Sequence, residues 1–127
     1  MSEKKSVLKD KMFLFALRIL KLCKFHCDEK REFVLSKQLL RSGSSVGANI
    51  REAQNAQSQA EFIHKLSISQ KVCDEANYWI KLLFHSDYLT ENKYQSVKNY
   101  AEEILKMLKS SILTTKKRNS YPNTHNS

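Results

Sequence analysis

Two clusters of residues in this sequence contain residue types that bind metals, at spacings found in metal sites. Cys23, His26 and Cys27 lie within five residues of each other, and thiolates and imidazoles are ligands that zinc prefers. No fourth ligand lies near them, and Cys23 falls on an apolar helical stripe, so a buried cysteine is favoured over a zinc site. Glu61 and His64 have the Glu-x-x-His spacing of di-metal bundles, but such sites need two copies and the chain holds one. We therefore predict no metal and no cofactor.

Signatures of catalysis are also missing from the sequence. The chain has no P-loop, no glycine-rich dinucleotide-binding motif, no Gly-x-Ser-x-Gly and no His-Glu-x-x-His. This pattern favours a protein that binds and assembles over an enzyme.

The positive charge of the chain is unevenly distributed. Residues 1–57 hold 12 Lys/Arg and 6 Asp/Glu, residues 58–113 hold 7 of each, and residues 114–127 hold 3 and none, which gives +6, 0 and +3. A field of this sign attracts polyanions such as nucleic acid or anionic lipid, and it equally serves solubility. Composition leaves both interpretations open.

The cysteine count and the hydropathy pattern bear on the compartment. Three cysteines are too few and odd in number for a disulfide framework, and no signal peptide is visible. The apolar stretch 12–25 is interrupted by Arg18, Lys21 and Lys24, and it is shorter than the roughly 20 apolar residues of a membrane span. We expect a cytoplasmic protein with reduced thiols and no membrane contact.

Four segments have the periodicity of amphipathic helices, and the chain has only two glycines and one proline to interrupt them. The first spans about residues 7–25 and the second about 33–56. The third starts at Ser58 with a capping box completed by Glu61, and the fourth follows Thr90, a plausible N-cap. Short connections then predict an all-α fold, an antiparallel up-and-down four-helix bundle over residues 1–113. A disordered basic tail with Lys116, Lys117 and Arg118 is predicted over residues 114–127.

Two helices carry a second apolar stripe beside the core stripe. Such a surplus of apolar surface favours side-by-side association of bundles, and the alternative is a wider monomer core. The candidate interface residues are Phe13, Leu17 and Leu20 on the first helix and Ile68, Val72 and Trp79 on the third.

Two glycines, Gly43 and Gly47, lie four residues apart inside the second helix. Each costs about 1 kcal/mol relative to alanine in a helix interior, so the pattern favours very close packing against another helix. The alternative is a break or kink at residues 42–45.

A basic stripe runs along the second helix at spacings of four and three residues. It contains Lys37, Arg41, Ser44, Ala48 and Arg51, and small residues between cations let a phosphate backbone approach closely. The alternative is a solvated face. No helix-turn-helix or zinc finger is present, so readout of base sequence is not supported.

Residues 40–53 (LRSGSSVGANIREA) resemble the signature of the proteins encoded in intervening sequences of bacterial 23S rRNA genes, the S23 family. Residues 62–68 (FIHKLSI) and 75–83 (EANYWIKLL) are also similar to that family. The resemblance extends over nearly the whole chain except the tail.

The resemblance implies a homopentameric up-and-down bundle without enzymatic activity, and by analogy a nucleic-acid role for the basic stripe. It also marks Asn49 and Glu52, with Glu75 in the third matching segment, as polar structural or interface residues; a catalytic role for Asn49 and Glu52 is the weaker alternative. The chain departs from the family pattern at Gln70 and Val72, which puts a polar network through the third helix in doubt.

Two leading hypotheses follow from these patterns. The first is a homo-oligomer that binds RNA or DNA without strong sequence preference through the stripe and the tail. The second is a protein-interaction scaffold that binds no nucleic acid, and an enzyme ranks third.

Overall fold

Within the described residues, the chain forms four α-helices and no strand. The computed structural model describes the backbone of residues 3–120 and the side chains of residues 7–118. The helices are α1 (Glu3–Asp28), α2 (Val34–Gln54), α3 (Gln59–His85) and α4 (Glu91–Ser120). No helix in this part of the chain is long and apolar enough to cross a membrane.

Contacts between neighbouring helices run in opposite chain directions. On α1 and α2, Ile19 lies against Gly43 and Met12 against Gly47. On α1 and α4, Lys11 pairs with Glu103, while Lys93 lies 4.1 Å from the ring centre of Phe25. Between α2 and α3, Arg41 pairs with Glu75 and the later residue Glu52 pairs with the earlier residue Lys65. Between α3 and α4, Cys73 lies against Ala101, and the later residue Phe84 stacks on the earlier residue Tyr94. The predicted antiparallel up-and-down bundle is confirmed.

The core occupies the centre of the bundle, where one apolar stripe from each helix meets the others. Most of the large side chains that are almost completely buried are aliphatic or aromatic. They include Phe15, Ile19, Leu39, Val46, Leu66, Ile80, Leu83, Val97, Ile104 and Leu108.

The start of each later helix is set by local hydrogen bonds. The Ser58 hydroxyl accepts from the backbone N–H of Glu61, and the Glu61 carboxylate accepts from the N–H of Gln57, so the predicted capping box closes one residue further upstream than the standard pattern. The Thr90 hydroxyl accepts from the N–H of Lys93, which confirms its role as an N-cap. These bonds satisfy donors that a helix start leaves unpaired.

Helix α2 has a cap that the sequence pattern did not reveal. Its N-cap position is Phe33, which has no capping side chain, and the buried carboxylate of Glu32 takes over. Glu32 accepts from the N–H groups of Leu35 and Ser36 at 3.0 and 2.8 Å and from the Ser36 hydroxyl at 3.0 Å. Burial acts to raise the pKa of this carboxyl, but the hydrogen bonds outweigh it and the pKa is lowered from 4.5.

Two helix ends differ from the predicted boundaries. Helix α1 continues through Asp28 instead of ending near Phe25, because His26 is completely buried and acts as a core residue. Helix α4 continues to Ser120, so residues 114–120 of the predicted disordered tail are helical. Ile112 and Thr115 are both buried one turn apart, and the polar type of Thr115 hides this last core position from the apolar pattern. Residues 121–127 lie outside the described residues.

Candidate binding surface

An exposed apolar surface runs along the side of the bundle that α1 and α2 share. We call it the α1–α2 face. It consists of three residues of α1 at helical spacing, together with one residue of α2 and the residue just before α2. These are Phe13, Leu17, Leu20, Phe33 and Leu40, whose exposed fractions are 69, 37, 52, 54 and 37 %.

The α1 part of this face follows directly from the sequence. Phe13, Leu17 and Leu20 are four and three residues apart, so their side chains lie on one side of the helix. They are the three interface candidates predicted on this helix, and all three are exposed. Phe33 and Leu40 were missed. Leu40 follows Leu39 in the sequence, and this doublet was the available signal, because neighbouring residues on a helix point about 100° apart and a narrow core stripe covers only one of them.

One groove lies where the α1–α2 face approaches the start of α1. We call it the Gly47 groove; it has a volume of about 460 Å³. Gly47 packs against Met12, and the missing side chain leaves the groove open. The Nε2 atom of Gln54 is buried and has no hydrogen-bond partner among the described residues. The lining residues are Lys9, Met12, Phe13, Ala16, Gly47, Ile50, Arg51, Gln54 and Asn55.

A second groove lies near the other end of the same face and has a volume of about 500 Å³. We call it the Cys27 groove. Lys24 and Lys37 lie at its edge, while Cys23 and Ser36 are buried beneath it. Its remaining lining residues are Leu20, Cys27, Phe33 and Leu40. Both grooves therefore combine apolar side chains with two cations each, and neither lining contains an acidic residue.

The predicted basic stripe is present on α2, but its three cations have different surroundings. Lys37 and Arg51 are exposed and border the two grooves. Arg41 instead binds the carboxylate of Glu75 on α3 at 2.8 Å and also bonds Gln38 at 3.0 Å. Part of its charge is thus neutralised, which leaves Lys37 and Arg51 as the stronger phosphate-binding candidates.

The basic residues Lys116, Lys117 and Arg118 are exposed in the last turn of α4. Successive helical residues point about 100° apart, so the three charges spread around the helix end instead of forming a single strip. Cations at this position are also favoured by the partial negative charge of a helix C-terminus.

The three polar residues that the resemblance singled out make contacts within the bundle. Asn49 donates from Nδ2 to the carbonyl of Ser45 in its own helix at 2.9 Å. Glu52 pairs with Lys65 of α3 at 3.6 Å. Glu75 accepts from Trp79 at 3.4 Å as well as from the guanidinium on α2. The Glu52–Lys65 and Glu75–Arg41 pairs connect α2 to α3, whereas Asn49 bonds only within α2.

The two glycines of α2 both face α1, but only Gly43 is in very close contact with it, because the Met12 side chain lies at an ordinary van der Waals distance from the Gly47 position. Helix α2 is continuous from Val34 to Gln54, so the alternative of a break at residues 42–45 is wrong. A Cβ atom added at Gly43 would lie 3.0 Å from Cγ2 of Ile19. The close packing predicted for this glycine is thereby explained.

The second apolar stripe of α3 is not an open face like that of α1. Val72 and Trp79 are half-buried and pack against the core, and Ile68 is also half-buried. On α3, Val72 and Trp79 therefore widen the core of the single bundle, which is the alternative to an interface that the sequence left open. The candidate interface is therefore concentrated on the α1–α2 face.

The cysteines and His26 near the end of α1 are engaged in the fold. Cys23 is buried and donates to the carbonyl of Ser36 at 3.2 Å, and burial raises the pKa of its thiol to about 12. The ring nitrogens of His26 lie 2.8 and 2.7 Å from the carbonyl oxygens of Leu22 and Tyr88. Within the described part of the chain, no group of three histidine, cysteine or acidic residues is arranged to hold a metal.

Comparison with known proteins supports the identification of the family. The family model for the 23S rRNA-intervening sequence protein matches residues 4–110. A solved structure from Bacteroides thetaiotaomicron VPI-5482, described as a protein with unknown function from the S23 ribosomal protein family, is 52% identical with a TM-score of 0.85. The match covers 86% of this chain and 97% of that one. Comparison with curated proteins gives no match. With most of its length matched and its four-helix fold shared, this chain belongs to the 23S rRNA-intervening sequence protein family.

Proposed function

We propose that this protein is a non-enzymatic bundle that assembles with copies of itself and binds RNA or DNA without base-sequence preference. The observation that carries the proposal is the α1–α2 face, an exposed apolar surface bordered by lysine and arginine. The apolar part supplies a surface for association, and the cations supply a surface for phosphate. We place this activity in the cytoplasm, in keeping with three unpaired cysteines.

Self-association is supported by the apolar area that the isolated chain leaves in water. Exposed apolar surfaces bordered by polar residues are typical of interaction sites. Leu20 and Phe33, which line the Cys27 groove, are each a little over half exposed. Because burying a whole side chain of this size is worth about 1.5–3 kcal/mol, covering the exposed half of each stabilises a complex by about half of that amount. The pentamer implied by the family resemblance is the assembly that we propose.

The test of assembly is light scattering of the purified protein after nuclease treatment. Leu20→Glu places a charge in the centre of the α1–α2 face, so we expect it to give monomers. Leu113→Glu is the matched control, because Leu113 on α4 is 55% exposed, close to the 52% of Leu20. A wild-type monomer, or a Leu20→Glu variant that still assembles, would contradict this part of the proposal.

Nucleic-acid binding is supported by the position of the free cations. Lys37 and Arg51 border an apolar surface without acidic residues in its grooves, and the chain carries a net charge of +9. Each phosphate neutralised by such a side chain releases counterions, so the affinity should fall steeply as salt rises.

The corresponding experiment is a salt titration of binding to mixed RNA and DNA. Charge reversal at Lys37, Arg41 and Arg51 should abolish binding and leave the helical circular dichroism spectrum unchanged. Reversal of Lys81, an exposed lysine on α3, is the control and should have a small effect. Unchanged binding after the triple reversal would mean that the stripe is only solvated.

A scaffold for another protein is the second candidate, because an apolar face with a charged border also suits a protein partner. A partner that stays bound after nuclease digestion, together with no measurable affinity for RNA or DNA, would favour the scaffold. An enzymatic role remains third, since the buried thiols at Cys23 and Cys73, with pKa values raised to about 12, are poor nucleophiles.

A further inference from the structure

The Gly47 groove has a chemical composition that differs from a plain apolar interface. Phe13 at its edge is the most exposed phenylalanine or tyrosine among the described side chains. Lys9 and Arg51 supply two positive charges, and no acidic residue is in the lining. Aromatic rings next to cations are the combination with which proteins bind single-stranded nucleic acid, because the rings stack on bases and the cations contact phosphates.

A second observation concerns Gln54, which also lines this groove. Its Nε2 atom is buried and has no partner among the described residues. A buried donor without an acceptor costs about 1–3 kcal/mol, and an acceptor on a ligand in this groove would satisfy it. Base edges carry carbonyl oxygens and ring nitrogens that accept hydrogen bonds.

The size and lining of the groove suit a single base. Gly47 and Ala16 contribute little or no side-chain bulk, while Met12 and Ile50 supply apolar surface. The volume of about 460 Å³ lies within the range of roughly 300–1,000 Å³ of small-molecule sites.

From these features we infer that the Gly47 groove binds one nucleotide of a single strand, with its base on the Phe13 ring and its phosphate beside Lys9 and Arg51. The amide of Gln54 donates a hydrogen bond to the base edge. This inference rests on the nucleic-acid part of the proposed function and gives it a place in the fold. It also predicts a preference that charge alone would not produce, namely for strands that carry bases over strands that carry only sugar and phosphate.

The experiment compares two fluorescent 12-residue strands of equal charge, oligo-dT and its abasic analogue, at fixed salt. We expect the wild type to bind oligo-dT about tenfold more tightly, since stacking contributes about 1–3 kcal/mol per base. Phe13→Leu keeps an apolar side chain but removes the ring, so the preference should disappear while the abasic affinity stays the same. Phe13→Tyr keeps the ring and is the matched control that should retain it.

Two further variants separate the other contributions. Gln54→Met is similar in size but lacks the donor, so it should weaken oligo-dT binding several-fold and leave the abasic strand unaffected. Arg51→Gln should weaken both strands and reduce the salt dependence by about one phosphate contact. Light scattering of every variant monitors the assembly.

The possible outcomes separate the inference from the proposed function. Equal wild-type affinity for both strands would overturn the nucleotide site and leave non-specific phosphate binding intact. No binding of either strand would overturn both. A Phe13→Leu variant that dissociates but keeps the base preference would assign the groove to a second copy of the chain and overturn the nucleotide site.

Discussion

The two glycines of α2 give a prediction whose magnitude can be worked out from the structure. Replacing a glycine by alanine in a helix interior stabilises the helix by about 1 kcal/mol, unless the added methyl group has no room. At Gly47 a Cβ atom would lie 3.5 Å from Cγ and 3.6 Å from Cε of Met12, which are ordinary van der Waals distances to a flexible side chain. We expect Gly47→Ala to increase the free energy of unfolding by about 0.5–1 kcal/mol.

The same substitution at Gly43 meets a different neighbour. Its Cβ atom would lie 3.0 Å from Cγ2 and 3.4 Å from Cγ1 of Ile19, a β-branched residue that is 1% exposed and has no space in which to rotate. Overpacking of this kind costs about 1–3 kcal/mol, which equals or exceeds the gain in helix propensity. Gly43→Ala should therefore be neutral or destabilising by up to about 2 kcal/mol.

The assay is urea unfolding followed by circular dichroism, with the difference between the two alanine variants as the measured quantity. Both are compared in the Leu20→Glu background at one protein concentration, because subunit dissociation would otherwise contribute to the apparent stability. In an Ile19→Ala background the added methyl group has room, so Gly43→Ala should become stabilising by about 1 kcal/mol. If Gly43→Ala stabilises the Leu20→Glu background as much as Gly47→Ala does, the close helix contact at Gly43 is refuted.

Three further predictions concern the helix ends and the α2–α3 ion pair. Glu32→Gln should lower the free energy of unfolding at pH 7 by about 1 kcal/mol. Hydrogen bonds lower the pKa of Glu32 below 4.5, so its stabilising contribution is complete above pH 4.5 and disappears as the pH falls through the folded-state pKa. The urea midpoints of the wild type and the variant should therefore converge in acid. Asp87 follows the end of α3 and has a positive φ of 66°. Glycine adopts this conformation without strain, so Asp87→Gly should increase the free energy of unfolding by about 0.5–1 kcal/mol and raise the melting temperature. A lower melting temperature would contradict backbone strain at this position. The Arg41–Glu75 pair is largely in solvent, with the arginine side chain 64% exposed. Arg41→Met should therefore change the free energy of unfolding in urea by less than about 1 kcal/mol, and a larger loss would reveal a stronger coupling.

The helices and the family were recognisable from the sequence because both depend on local patterns. Apolar residues recur at the helical period, and Ser58 with Glu61 or Thr90 alone marks a helix start through bonds within four residues. The interface candidates on α1 were also visible, since Phe13 and Leu20 are apolar at positions that the core stripe does not use. Information of this kind is contained in a single segment of chain.

Other features depend on which segments meet. In the sequence, His26 has the type expected of a polar connection. It can lie in the core because the carbonyl of Tyr88, in a distant loop, bonds to its ring. Val72 has the spacing of an exposed stripe, but packing against the core half-buries it. Thr115 is polar by type and buried by position.

The sequence by itself determined the four amphipathic helices, their order, the surplus of apolar residues on the first and third helices, and the basic stripe on the second. Tertiary structure decided which of those residues remain available: it joins Arg41 to Glu75, half-buries the extra stripe of α3, and opens the Gly47 groove between α1 and α2. The physical reason is the range of the interactions involved. Helix formation and capping act between residues three or four positions apart, whereas burial, ion pairing between helices and the shape of a groove arise only when helices distant in sequence pack together.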